Sequence, residues 1–236
     1  MAKEWKTPKR KQPVWSVVKN IFKPFFRVKG VEFLGEKFPN KCIIVINHNN
    51  KKGPMLYELR LPVFHAKWGA YQMLGSYKDR FLYLRDVLYI QKNGLGKFQA
   101  TMKACFEAIF SKMIYKGMKI LPSYPDARLR KTLQYSMNVL DSGAAVSMYP
   151  EDSSDGYHDE LKKFFPGFVM LADQYYKKTG EDVPVFPAYW GRKKNKIVVG
   201  KPMSVIELEK QGLDRYQIAE VFKEAVNDIY RNHFKE

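Results

Sequence analysis

A chain of 236 residues with 45% hydrophobic and 15% aromatic side chains can bury a sizeable core, which excludes intrinsic disorder and collagen-like repeats. Its 41 basic and 24 acidic residues leave a formal charge of +17, a field that attracts nucleic acid or an anionic membrane surface. Stretches without Asp, Glu, Lys or Arg, such as Trp68–Tyr77, reach only about ten residues where a spanning helix needs about twenty. Two cysteines, Cys42 and Cys105, point to free thiols in a reducing compartment.

Residues 1–30 carry nine basic side chains and one acid. Pro13, Lys19 and Lys23 interrupt any apolar secretory leader there. Trp15, Val18, Phe22 and Phe25, widened by Ile21 and Phe26, recur at helical spacing, and Pro24 bends or ends the helix. A short aromatic helix behind a polybasic leader suits an interfacial membrane anchor, to which each basic residue adds on the order of 1 kcal/mol. The same stripe suits a helix packed on the body, and the pattern leaves both open.

From residue 31 strands and helices alternate. Val31–Leu34 and Cys42–Ile46 read as strands, the second a continuous apolar run suited to a sheet covered on both faces. Pro54–Arg60 reads as a helix with proline in its first turn, and 63–68 as a strand. Between Lys97 and Tyr115 the positions Phe98, Met102, Cys105, Phe106, Ile109, Phe110 and Met113 make a broad helical stripe. Its width favours a helix covering the sheet over one lying in a membrane surface beside Lys97, Lys103, Lys112 and Lys116. A strand at Met118–Leu121, a helix at Ala127–Leu140 and a strand at Ala144–Met148 follow, then a polar loop and a helix around Phe168–Lys178. Strands near Val183–Tyr189 and Lys196–Val199 lead to a helix from about Asp214 to His233. The pattern predicts an α/β fold with a mixed, largely parallel sheet flanked by helices.

No nucleophile elbow or P-loop is present, and Gly94-Leu95-Gly96 lacks the third glycine of a dinucleotide fingerprint. Four histidines without i,i+4 pairing and two distant cysteines offer no zinc site. The acidic loop from Glu151 has Lys162, not an acid, at its twelfth position, so no metal or other cofactor is expected. One constellation carries chemistry. The strand Cys42–Ile46 ends in Asn47-His48, where α/β sheets bind ligands and where an imidazole is useful as a general base. The strand Ala144–Met148 ends in Tyr149-Pro150-Glu151-Asp152, which would line the same crevice if the two strands are neighbours.

Asn47-His48-x4-Gly53-Pro54, Tyr149-Pro150-Glu151 and Val183-Pro184-Val185-Phe186-Pro187, in this order, resemble the glycerophospholipid acyltransferase family, typified by lysophosphatidic acid acyltransferases. Leu161–Ala172, with Phe164, Gly167 and Ala172, is similar to the stretch that follows that family's third motif. The resemblance covers about residues 30–205. It implies transfer of a fatty acyl group from acyl-CoA or acyl-carrier protein, as co-substrate, to a hydroxyl of a lysophospholipid or related lipid. His48 would be the base, Glu151 would order the site or bind the acceptor, and Pro184 and Pro187 would lie beside the acyl pocket. Amides at the Gly53-Pro54 helix start would favour a phosphate or an oxyanion.

Three departures stand out. Gly53 replaces the aspartate that orients the histidine, leaving Glu58 and Glu151 as substitute acids, with Glu58 equally suited to an ordinary surface position. Asn47 and Asn50 could orient the ring without charge. Pro122 lies in the second motif, whose phosphate-binding arginine is missing near Tyr124, with Arg128 as the nearby alternative. The third motif reads Pro150-Glu151-Asp152, adding an acid. The expected organisation is a basic membrane-associating arm over 1–30, an acyltransferase-like domain over 31–205 and a C-terminal helical extension over 206–236 packed on it. The expected location is cytoplasmic, peripheral on the inner face of an anionic membrane. Two alternatives remain: a lipid-binding relative with impaired catalysis, and a basic nucleic-acid-binding protein, although no specific nucleic-acid signature is present.

Overall fold

The apolar run Ile43–Ile46 forms a strand, β2, buried at every position. It lies between β5 (Ala145–Met148) and β6 (Val185–Gly191), with parallel pairing on both sides. The structure is a computed structural model describing residues 5–49 and 52–235, so the first four residues of the arm and Asn50 lie outside it. With β1 (Val31–Phe33), β3 (His65–Ala70), β4 (Ile120–Ser123) and β7 (Lys196–Val199), the described residues form a seven-stranded sheet ordered β1-β7-β6-β2-β5-β3-β4. Only β6 and β7 pair antiparallel. Five strands therefore point the same way, and the carboxyl ends of β6, β2, β5, β3 and β4 open along one rim.

Helices cover both faces because the central strands are apolar on both. Ile43 and Val45 enter a core shared with α5 (Leu129–Asp141), α6 (Gly167–Thr179) and α8 (Arg215–His233), where Phe168 packs edge-on against Phe222 at 5.0 Å. Ile44 and Ile46 enter the opposite core with Leu56 and Tyr57 of α2 (Gly53–Arg60). A short helix, α7 (Val205–Lys210), precedes α8.

Between β3 and β4 the chain leaves the sheet to build a helical insertion. A 3-10 turn (Tyr71–Leu74) leads into α3 (Tyr77–Leu82), which continues as a π-helix (Tyr83–Lys92) and returns as α4 (Lys97–Gly117). The helix at the N-terminal arm, α1 (Pro13–Phe22), sets Trp15 against Gly117 so closely that an added Cβ there would stand 2.2 Å from the indole. Strand β4 starts two residues later than its apolar run suggests. The last turn of α4 extends to Gly117 and Lys119 turns the chain with a φ of 58°. The broad stripe on α4 also faces differently from expectation. Ala100, Ala104, Ala108 and Ser111 are its buried positions, and the large apolar side chains point outward.

The loop following β5 is closed on itself and on α8. The Phe165 amide donates to the Pro150 carbonyl at 2.8 Å, and the Asp152 amide to the Lys163 carbonyl at 3.0 Å. Buried Asn227 of α8 clasps Leu161 through both backbone groups, at 2.8 and 2.9 Å. Replacing Asn227 by Ala strands a buried amide and a buried carbonyl together. The unfolding free energy, measured by urea denaturation, is expected to fall by about 1–3 kcal/mol.

Candidate active site

Val45 and Met148 are register partners, so the residues after β2 and β5 emerge side by side. The Glu151 Oε1 accepts the His48 backbone N–H at 3.0 Å, and the same carboxyl group also receives the Asn49 amide. Asn49 sits at φ 59°, a left-handed conformation that asparagine tolerates better than most residues. Two successive amides thereby converge on one acid. The loop is also stapled to β6. Asn47 Oδ1 accepts the Trp190 amide at 2.9 Å, and the Asn47 and Asn49 side-chain amides donate to the Trp190 carbonyl at 3.3 and 2.7 Å. The Tyr57 hydroxyl donates to the Asn47 carbonyl at 2.8 Å. The polar groups of Asn47 thus hold backbone rather than facing a ligand.

The His48 side chain is half-buried in an aromatic sleeve. Its ring stacks on Tyr157 with centroids 5.1 Å apart and meets Tyr149 edge-on at 4.9 Å. Tyr149 in turn stacks on Tyr57 at 5.9 Å. Glu151 is buried, which pushes its carboxyl up to about 7, while the His48 and Asn49 amides and the charge of Lys92 pull the other way. Its Oε2 has no hydrogen-bond partner among the described residues. Lys92 closes the π-helix and turns toward this group. Its Nζ donates to Ser153 Oγ at 2.7 Å and lies 5.6 Å from the centre of the Tyr157 ring. Burial lowers its pKa, against the attraction of Glu151 and Asp152.

No protein-family model and no curated protein matches the chain. Among solved structures, its fold is similar to that of the 1-acyl-sn-glycerophosphate (LPA) acyltransferase PlsC from Thermotoga maritima. The TM-score is 0.51 with 14% sequence identity, covering 94% of this chain and 81% of that one. The chain has a glycerophospholipid-acyltransferase-like fold.

Within that acyltransferase-like fold, Gly53 occupies a place that admits no side chain. An added Cβ would stand 2.3 Å from the His48 carbonyl oxygen, so an aspartate cannot sit on this backbone. Pro54, half-buried, follows it in the first turn of α2. Glu58 is not a surface acid. It is buried, and its oxygens take Lys67, Lys119, Lys19 at 2.8 Å and the Trp15 indole N–H at 3.2 Å. Burial would raise its carboxyl, but the charges of Lys67 and Lys119 hold it well below the ordinary range. The charge proposed for His48 is committed to the lysines that bind α1, β3 and β4 together.

Other expected residues are distributed along the rim and the strands. Arg128 is exposed at the start of α5, sandwiched against Tyr71 and Tyr124 at 4.7 and 4.6 Å from their ring centres, and Asp126 neutralises it. Pro122 is a buried β4 residue whose carbonyl accepts the Thr132 hydroxyl at 2.8 Å. The Pro184 carbonyl accepts the Ile43 amide at 3.0 Å, and Pro187 lies opposite Val45 in β6. Asp152 has its pKa lowered by hydrogen bonds from the Ser154 hydroxyl and from the Ser154 amide, the latter at 3.1 Å. Of the expected residues, Asn47, His48, Gly53, Tyr149, Pro150, Glu151 and Asp152 gather where β2 and β5 end. Tyr157, Asn49 and Lys92 join them without any spacing signal, Lys92 arriving from the long segment between the first two motifs.

Glu151 imposes a pH dependence on folding. An unfolded chain returns its carboxyl to the ordinary value of 4.5, so between 4.5 and about 7 the folded state binds more protons. Stability contributed by the neutral acid is complete below 4.5 and disappears as pH rises through 7. Denaturation across this range should show a fall of up to about 3 kcal/mol that Glu151→Gln abolishes.

Proposed function

We propose that the protein is an acyltransferase moving a fatty acyl group from the thioester of acyl-CoA or acyl-carrier protein to a hydroxyl of a lysophospholipid or related lipid. The observation that supports this most is His48 at the carboxyl end of the central strand, its backbone held by Glu151 within an acyltransferase-like fold. A ring nitrogen of His48 takes the acceptor hydroxyl proton as the oxygen attacks the thioester carbonyl carbon. The tetrahedral oxyanion then collapses, the carbon–sulfur bond breaks, and the imidazolium returns its proton to the departing thiolate. Glu151 acts as a positioning residue, since it grips the amide rather than the reacting atoms. The basic arm holds the enzyme to the inner face of an anionic membrane, where such acceptors reside.

A thioester-dependent acylation assay on mixed lysolipids, comparing the parent with His48→Ala, tests the assignment. Loss of the base is expected to cost about 10²–10⁴ in kcat. Equal turnover by both proteins would remove His48 from the mechanism.

Lys92 stands where a cation is needed and the second motif supplies none uncommitted, since Asp126 balances Arg128. It positions an acceptor phosphate beside His48. Lys92→Ala is expected to raise KM for a phosphate-bearing lysolipid about tenfold, the scale of one charge-assisted hydrogen bond, with kcat nearly unchanged. An unchanged KM would dissociate Lys92 from the acceptor.

A second reading draws on Gly53, whose crowding excludes the usual orienting acid: a lipid-binding relative without turnover. Any His48-dependent acyl transfer eliminates it.

A further inference from the structure

We infer that the outer face of α4, continued by α1, is the surface by which this protein docks on an anionic lipid bilayer. The inference deepens the reading of a lipid acceptor by naming the surface that meets it. It stands on a different observation, the distribution of exposed apolar side chains. Fourteen large hydrophobic residues are exposed among the described residues, and ten of them belong to α4 or to α1 and the turn after it. On α4 these are Phe98, Met102, Phe106, Ile109, Phe110 and Met113, from 48% to 80% exposed. On the arm they are Val14, Val17, Ile21 and Phe25. A concentration of this kind marks an interaction surface, whereas singly scattered residues do not.

The helix is built for two environments. At 3.6 residues per turn, positions 98, 102, 106, 109, 110 and 113 fall on the side opposite Ala100, Ala104, Ala108 and Ser111. The small residues let α4 approach the π-helix and α3 closely, with Leu84 and Tyr89 in the same buried cluster. The large ones turn outward, with about half or more of each exposed. An open groove of about 630 Å³ runs beside Tyr89, lined by Met102, Phe106, Phe110 and Ile114. Tucking Trp15 against Gly117 joins α1 to the end of α4, so both exposed faces belong to one contiguous structure.

Charge selects the occupant. Four lysines (Lys97, Lys103, Lys112 and Lys116) accompany one acid, Glu107, on α4, and the turn after α1 adds Lys23, while Lys19 of α1 is paired with Glu58. Two copies of this face would repel each other, whereas anionic headgroups complement it. Lys103 and Lys112 flank the apolar stripe on either side: Lys103 is exposed, as a side chain that buries its stem and keeps its ammonium at the headgroups would be, and the Lys112 ammonium rests on the Gly75 carbonyl at 3.1 Å. No helix among the described residues is long and apolar enough to cross a membrane, so α4 lies along the surface rather than through it.

The test is co-sedimentation of the full chain with vesicles of phosphatidylglycerol and phosphatidylcholine, with pure phosphatidylcholine alongside, comparing the parent with Phe106→Ser/Phe110→Ser. Both side chains are exposed, so the variant should keep the parent circular dichroism spectrum. The parent is expected to bind the anionic vesicles more tightly than the neutral ones. The variant should bind at least about tenfold more weakly, because it removes two large apolar side chains from the face that would be buried in lipid. Equal binding by parent and variant, or no binding by the parent, overturns the inference. So does a parent dimer in size-exclusion chromatography that the variant converts to monomer without vesicle binding, which would give the face to a second copy. The measurement involves no turnover and is therefore independent of whether His48 is a base.

Discussion

One carboxyl group joins the two loops on which the candidate site depends. Glu151 arrives after β5 and takes the amides that follow β2, so parallel pairing of Val45 with Met148 is converted into a fixed relation between His48 and its tyrosine sleeve. A charged carboxylate buried there would be expensive, and two N–H donors offset only part of the cost. With its carboxyl pushed up to about 7, the acid is about half neutral at pH 7, which relieves part of the remainder without losing the acceptor oxygen. The grip holds because the loop carrying Glu151 is itself closed, by Phe165 on Pro150 and by Asn227 of α8 on Leu161. A helix far along the chain thus supports the imidazole.

A second acid organises the opposite side of α2. Glu58 gathers Lys67 from β3, Lys119 from the turn before β4, and Lys19 with Trp15 from α1. Buried charges persist only when paired, and removing one partner leaves the others uncompensated. This explains why α1 presents Trp15 inward although Val14, Val17 and Ile21 are equally apolar: the indole N–H and the Lys19 ammonium both end on Glu58. The arm is attached by a directional polar contact, which leaves its other apolar face free to be exposed.

Much of the fold was legible because the sheet obeys simple patterns. The uninterrupted run Ile43–Ile46 announces a central parallel strand, and Lys196–Val199 is read with its observed limits. The segments that escaped are short or mixed, such as α3, the π-helix and α7, whose form depends on the surface they rest against. The stripe on α4 was visible, yet its direction was not. Counting large apolar residues assumes that they face the core, whereas close helix packing selected alanine. At the site, His48 and Glu151 came together because they follow adjacent strands. The partners of Glu58 and the approach of Lys92 depend on tertiary contacts across separations that no local period encodes.

The helical insertion gives these observations a common frame. Its outer surface is the apolar side of α4, and its inner surface is the alanine side, packed with Leu84 and Tyr89 of the π-helix. The π-helix ends at Lys92, which bonds Ser153 and faces the Tyr157 ring stacked on His48. Helix, lysine, tyrosine and imidazole therefore form one succession of contacts. A π-helix is rarely retained without reason, because its wider turn sacrifices hydrogen-bond geometry. Here that turn delivers a cation to the motif loop while the preceding residues seat α4. The segment between the first two motifs thus serves as a wall of the site on one side and as its outward-facing surface on the other.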